Sequence, residues 1–436
     1  MLMIKPTAGN RRSENGSVLA VTLFITTLFG LFLGSYLYLA RHQNALVARS
    51  EVWNAAIGMA EAGVEEALAQ LNPGAPPPVL DLTANGWGMP AGGAYGPVTR
   101  VLPTGSYSVM FTTNGFPIIY ATGYVKIPAL SATLSRAVRV TTTNAPLFSA
   151  GLVGIYGINF NGNGVGTDSF NSANTNLSTS GQYDPSKVST NGDVASVFGI
   201  LNVGNGDVNG TVYLGPTATN QLKPQNGTIT GGISNDFNVE FERVVLPAGT
   251  LSWLPPLAAS TTISNVTYQY AFGYPGSLNG SGNYAMTGSS LNGANIYVAE
   301  NTHVTLLVTG NASPATFHVA GTGTNAGQLT FYMDGPTFSL SGNNAVDGGN
   351  ALNFSYYGTT NNTQISLGGN AAFVGTIYAP QADLKLAGGG STDIDFCGAI
   401  VARTVTTTGH YLFHFDENLV AAGARRGYVA NSWQEL

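Results

Sequence analysis

The densest group of metal-ligand side chains in the sequence is His410, His414, Asp416 and Glu417, within the run HYLFHFDENL. A spacing of four puts both histidines on one face of a helix or, two pleats apart, on one face of a strand. The run is aromatic and strand-like, so it reads more simply as a closing strand whose carboxylates cap its end. Asp393 and Asp395 in STDIDF alternate so as to point the same way, as the carboxylate pair of a glycoside-hydrolysing site would. Basic residues to hold a sugar would be expected beside them, and only Lys385 and Arg403 lie near.

Asp168, Asp184, Asp193 and Asp207 fall in Gly/Asn turns. The string VGNGDVNG at 203–210 has the oxygen-rich texture of a calcium-binding nonapeptide repeat, but tandem copies are needed and one is present. A corner aspartate in an Asx-turn is the simpler reading. His42 flanks an apolar helix, while His303 and His318 sit in separate strand runs without close carboxylate company. No G-x-S-x-G, H-E-x-x-H or P-loop is found. The sequence therefore assigns no catalytic, cofactor-binding or metal-binding residue, and the chain is not expected to be an enzyme.

The composition sets the frame for these side chains. Of 436 residues only 9% are charged, against roughly 25% in an average soluble domain, and Gly (57 residues), Asn, Ser and Thr fill the gap. A surface wetted by hydroxyls and amides is common in extracellular β proteins. With 20 Phe, 20 Tyr and 4 Trp the chain has the apolar bulk to fold rather than stay disordered. The net charge of −6, with no basic run beyond the first 50 residues, leaves no footprint for nucleic acid. The single cysteine, Cys397, excludes an intramolecular disulfide.

Residues 17–40 form a stretch of 24 without a charge. As a helix it would be about 36 Å long, enough for a hydrocarbon core of about 30 Å. Lys5, Arg11 and Arg12 precede it, and the bias favours a cytoplasmic N-terminus with the remainder exported. Helical spacing continues through Trp53, Ile57, Ala60, Val64, Ala67 or Leu68, and Leu71, until Pro73 and the prolines at 76–78 forbid it. One helix over 17–72 is predicted, apolar all round in its first half and amphipathic in its second. Gly30 and Gly34 make a G-x-x-x-G that would let another helix approach closely.

The run NGSVLAVTLFITTLFGLFLG followed by MAEAGVEEALAQL resembles the N-terminus of PilX-type minor pilins and type II secretion pseudopilins. The resemblance covers residues 1 to about 72. It implies a cytoplasmic leader, 1–16, cleaved by a prepilin peptidase between Gly16 and Ser17. It also implies an inner-membrane lipid partner and association with other pilin or pseudopilin subunits. One departure is Val21 at the fifth mature position, where major pilins carry a glutamate; its absence argues for a minor or initiating subunit.

Beyond a Pro/Gly linker at 73–97, in which Trp87 stands isolated, three strand-like runs at 106–113, 118–127 and 136–142 predict an antiparallel meander over 98–145. From 146 to 420 short β-forming runs alternate with Gly, Asn and Asp at no fixed period. A β-solenoid is favoured, with a jelly-roll or other sandwich as the alternative. Residues 421–436 are set apart as a tail. The segments GTIYAP, GAIVA and HFDENL resemble a C-terminal domain of unknown function often fused to PilX-type N-termini. The fold class expected is thus mainly β with one long N-terminal helix. The function expected is a minor pilin-like subunit of a type IV pilus or related secretion filament, in the bacterial inner membrane and at the cell surface. Its β head would serve assembly priming or adhesion. The alternatives are a membrane-anchored binder of glycan or matrix and, behind that, a β-helix carbohydrate-active enzyme.

Overall fold

A computed structural model describes the chain except for residues 1–14, 73–81, 83–84, 89–91, 114, 129–131, 219–226, 342–344, 370–371 and 389–394. Residues 1–14 of the leader and Asp393 thus lie outside the described residues, as does most of the 73–97 linker. The chain divides into two compact units: residues 1–70, 81–143 and 430–436, and residues 71–80 and 144–429.

The first unit is built on helix α1, Asn15–Leu71, 57 residues and about 85 Å long. Residues 18–39 are exposed apart from the half-buried Leu28, and the stretch is long and apolar enough to cross a membrane. The second half of α1 lies on an antiparallel sheet of β1 (Ala94–Leu102), β2 (Gly105–Thr112), β3 (Ile118–Lys126) and β4 (Thr133–Pro146). Alternation puts Val109, Ala121 and Val138, paired in register, on the covered face.

The buried stripe of α1 is Val52, Ala56, Ala60, Val64 and Ala67, whereas Trp53 is 46% exposed. Reading the stripe from the bulky side chains thus put its beginning one residue out of phase. Small residues face the sheet because the two backbones nearly touch: a Cβ at Gly123 would lie 2.1 Å from the Ala56 carbonyl oxygen. Trp53 instead packs under the Arg136 guanidinium, 4.7 Å from the ring centroid. Glu66 fixes the far end of this stripe, accepting from Arg100 at 2.8 Å and from the Tyr107 hydroxyl at 2.7 Å. Burial, with Glu66 adding to it, pushes the Tyr107 phenol up to about 12.

Two strands of this sheet were not anticipated. β1 begins within the stretch read as linker, and Trp87, 2% exposed, packs on Phe111 with ring centroids 4.9 Å apart. The last residues, read as a tail, form the strand Arg425–Glu435 beside β4.

The second unit is a solenoid. Its 21-stranded sheet is joined by parallel ladders, which an antiparallel sandwich would not show. A step up the stack takes 17 residues from Phe396 to Phe413, 29 from Thr316 to Ala345 and 43 from Gly157 to Ile200, so no period is visible in sequence. The interior is ordered by stacked rings: Phe373 on Phe396 at 4.8 Å, and Phe396 on Phe413 at 5.1 Å.

The coils do not stack in the order of the chain. The first coil, β5 (Leu152–Gly154), β6 (Gly157–Asn161) and β7 (Val165–Phe170), is followed by coils that stack on one side of it, through Val194–Ser196 and Val212–Leu214. The chain then starts again at Tyr270–Phe272 and winds back through Phe373–Gly388 to the last coil, Phe396–Gly409 and Tyr411–Asp416. That last coil docks on the other side of the first, with Ile400 on Leu152, Val405 on Ile158 and Tyr411 on Val165. Where the chain enters and leaves, the Leu147 N–H donates to the Ala424 carbonyl at 2.8 Å. In sequence the solenoid is therefore an insertion between two neighbouring strands of one sheet.

Candidate functional site

The parallel register aligns side chains from distant parts of the chain. One row runs Tyr297, His318, Asp347, Val374, Cys397, His414 and Asp168. These positions alternate with the inward Phe317, Phe373, Phe396 and Phe413, so the row faces out of the coil. Two parts of it carry polar chemistry.

The first part is the seam where the last coil meets the first. His414 Nδ1 lies 2.5 Å from Asp168 Oδ1, and the Tyr183 hydroxyl donates to Asp168 Oδ2 at 2.9 Å. Tyr183 belongs to the excursion 171–192, and its ring stacks on His414 at 3.6 Å, leaving the histidine 2% exposed. Further along, Asp416 Oδ1 accepts from the N–H groups of Ser172 and Asn418. Glu417 accepts from the Ser169 hydroxyl at 2.7 Å and the Asn191 amide at 2.9 Å. Burial pushes the Asp416 carboxyl up. These carboxylates fasten the end of the closing strand.

His410 and His414 do not converge: His410 Nδ1 is 3.9 Å from Asp395 Oδ2, and His414 faces Asp168. Among the described residues no three His, Cys, Asp or Glu come together as metal ligands. Cys397 adjoins His414 in the row, but burial first, then Asp168 and Asp416, push its thiol well up. It stands as a thiol, not the thiolate a nucleophile requires.

The second part is His318 with Asp347, Nδ1 to Oδ2 at 2.9 Å. The expectation that His318 lacks a carboxylate is corrected here: the partner sits one coil later, beyond what sequence neighbourhood reveals. Tyr297 stacks on His318 at 5.4 Å. The hydrogen bond from His318 holds the Asp347 carboxyl below its ordinary range. Between Asp347 and Tyr183 opens a cavity of about 240 Å³.

The remaining aspartates among the described sequence candidates have structural partners. Asp395, 2% exposed, accepts from the Leu412 N–H. Asp184 accepts from the Ser186 hydroxyl, the Thr179 hydroxyl and the Ser186 N–H, which lower its carboxyl to about 2. Asp193 accepts from the Thr211 N–H, and Asp207 from the Thr228 N–H and hydroxyl. His303 meets Gln328 at 2.9 Å, and Arg403 pairs with Asp383. His42 is exposed on α1. Gly30 and Gly34 lie on the uncovered half of α1, where an added Cβ would meet nothing within 4 Å. Gly16 and Ser17 are in the first turn of α1.

Residues 264–422, most of the returning part of the solenoid, match a family described as a domain of unknown function, DUF7305. A search of curated proteins finds no match. Among solved structures the chain is similar to the competence-associated pilin ComZ from Thermus thermophilus, at 11% identity and a TM-score of 0.23, over 87% of this chain and 97% of that one. So low a score is no measure of a shared arrangement.

Proposed function

We propose that the chain is a pilin-like subunit of a surface filament, of the PilX-like minor type. The observation that carries this reading is α1. It is one unbroken helix whose first half is apolar and uncovered, and whose second half presents alanines to an antiparallel sheet. Uncovered apolar area of this extent calls for lipid or for other helices. The inner membrane would supply the first, and neighbouring subunits in a filament the second. Gly30 and Gly34 would admit a partner helix at short range. The solenoid, inserted in sequence between β4 and the strand Arg425–Glu435, would be the displayed part, with a structural or adhesive rather than catalytic role.

Prepilin peptidase would cut between Gly16 and Ser17. Mass analysis of the N-terminus, from hosts with and without that peptidase, tests the reading. A peptidase-dependent start at Ser17 with an N-methyl group is expected. An intact Met1 in both hosts overturns it.

A further inference from the structure

We propose that the cavity beside Asp347 is a binding site for a neutral acetamido sugar. This goes beyond the filament reading and stands or fails independently of it, because every residue involved belongs to the solenoid.

The cavity, about 240 Å³, is smaller than the roughly 300–1,000 Å³ of drug-sized sites and suits a unit of about one sugar ring. Its floor is apolar, lined by the half-buried Ala345, Ala372 and Val374. Its rim is polar and carries acceptors and an amide. Asp347 Oδ1 accepts from the Gly349 N–H at 3.1 Å and Oδ2 from His318 at 2.9 Å. A carboxylate has about four lone-pair sites, so roughly two remain for sugar hydroxyls, and the Asp347 side chain is 50% exposed to receive them. Gln182, also lining the cavity, is exposed and presents a primary amide that can donate and accept.

Ring surfaces flank both sides. Tyr183 forms one wall, and outside the cavity the stacked pair Tyr297 and His318 continues along the row, with Tyr268 and Tyr274 set edge-on against Tyr297. Sugar C–H faces pack on such surfaces while their hydroxyls turn to the rim. An apolar floor under a hydroxyl-binding rim is what an acetamido methyl requires, and a plain hexose would leave that floor against hydroxyls. No Lys or Arg is among the described residues lining the cavity, and Asp347 is anionic, so a uronate or sialate would be repelled.

The test uses the full chain in detergent and titration calorimetry with triacetylchitotriose, maltotriose and glucuronate. Triacetylchitotriose is expected to bind, with maltotriose and glucuronate at least tenfold weaker. Asp347→Asn and Gln182→Ala are each expected to weaken triacetylchitotriose about tenfold, the worth of one hydrogen bond. Gln182→Ala alters an exposed side chain, so it remains readable even if Asp347→Asn disturbs the coil, which a melting curve on each variant reports. The proposal is overturned if triacetylchitotriose does not bind at millimolar concentration, or if maltotriose or glucuronate binds as well. It also fails if the folded variants bind like the parent.

Discussion

Gly123→Ala is the smallest change that tests how α1 sits on its sheet. The added methyl would lie 2.1 Å from the Ala56 carbonyl oxygen, 2.6 Å from the Ala60 nitrogen and 2.7 Å from the Met59 Cβ. Two of these are backbone atoms of the helix, so no side-chain rotation relieves the clash. The helix must retreat by about 1 Å, which forfeits a quarter to a half of the dispersion along the contact. Overpacking of this kind costs about 1–3 kcal/mol, and the backbone clash puts this case at about 3. For a unit of about 100 residues that is a fall in melting temperature of about 10–20 °C. The control is Gly58→Ala on the same helix, where the new methyl meets nothing within 4 Å and helix propensity should gain about 1 kcal/mol. Hydrogen exchange across 105–126, followed with temperature on the full chain in detergent, reads the first unit apart from the solenoid. Equal melting of Gly123→Ala and the parent would refute the close approach.

The solenoid has its own sensitive point in Phe396, fully buried between Phe373 and Phe413. Phe396→Ala is expected to cost the second unit about 3–5 kcal/mol in urea unfolding, without moving the first. Asp184 sets an acid limit for the 171–192 excursion. Its folded carboxyl is lowered from 3.8 to about 2, so its contribution is complete above 3.8 and drains away as pH falls toward 2. Protection factors across 174–190 should drop between pH 5 and pH 2.5 relative to those of 396–409, and Asp184→Asn should remove that difference. Arg136→Ala releases both the Trp53 face and Glu435. Carboxypeptidase should then trim the last strand faster than in the parent, and an unchanged rate would show that the strand is held by its ladder alone.

How much of this was legible in the sequence depended on how local the signal was. The long helix was, because an uncharged stretch followed by helical spacing and a stop of prolines needs no partner to be recognised; the expected 17–72 became Asn15–Leu71. The predicted stripe holds at Ala60, Val64 and Ala67, and only its beginning is one residue out of phase, where the bulky Trp53 and Ile57 point to the wrong face. A helix pressed against Gly123 and Ala121 must instead turn its alanines inward, leaving Trp53 for Arg136. Strand Arg425–Glu435 escaped notice because RRGYVANSWQE is largely polar, as suits an element that stays mostly exposed. The short strands of the solenoid were visible, but not their order. Coil steps of 17 to 43 residues hide which side chains become neighbours. That is why Asp347 beside His318, and Asp168 beside His414, had no counterpart in the sequence reading. The HYLFHFDENL run was legible as a closing strand. What it closes upon, a coil laid down some 240 residues earlier, was not.

Fractionation of the native host bears most directly on the claim that the uncovered half of α1 seats the chain in a membrane or filament. The chain is expected in the carbonate-resistant membrane fraction and in filaments sheared from the cell surface, and Leu23→Asp is expected to remove it from both. Full recovery of the unaltered chain from the cytosol, with residues 18–39 already shielded from exchange in the monomer, would contradict the account.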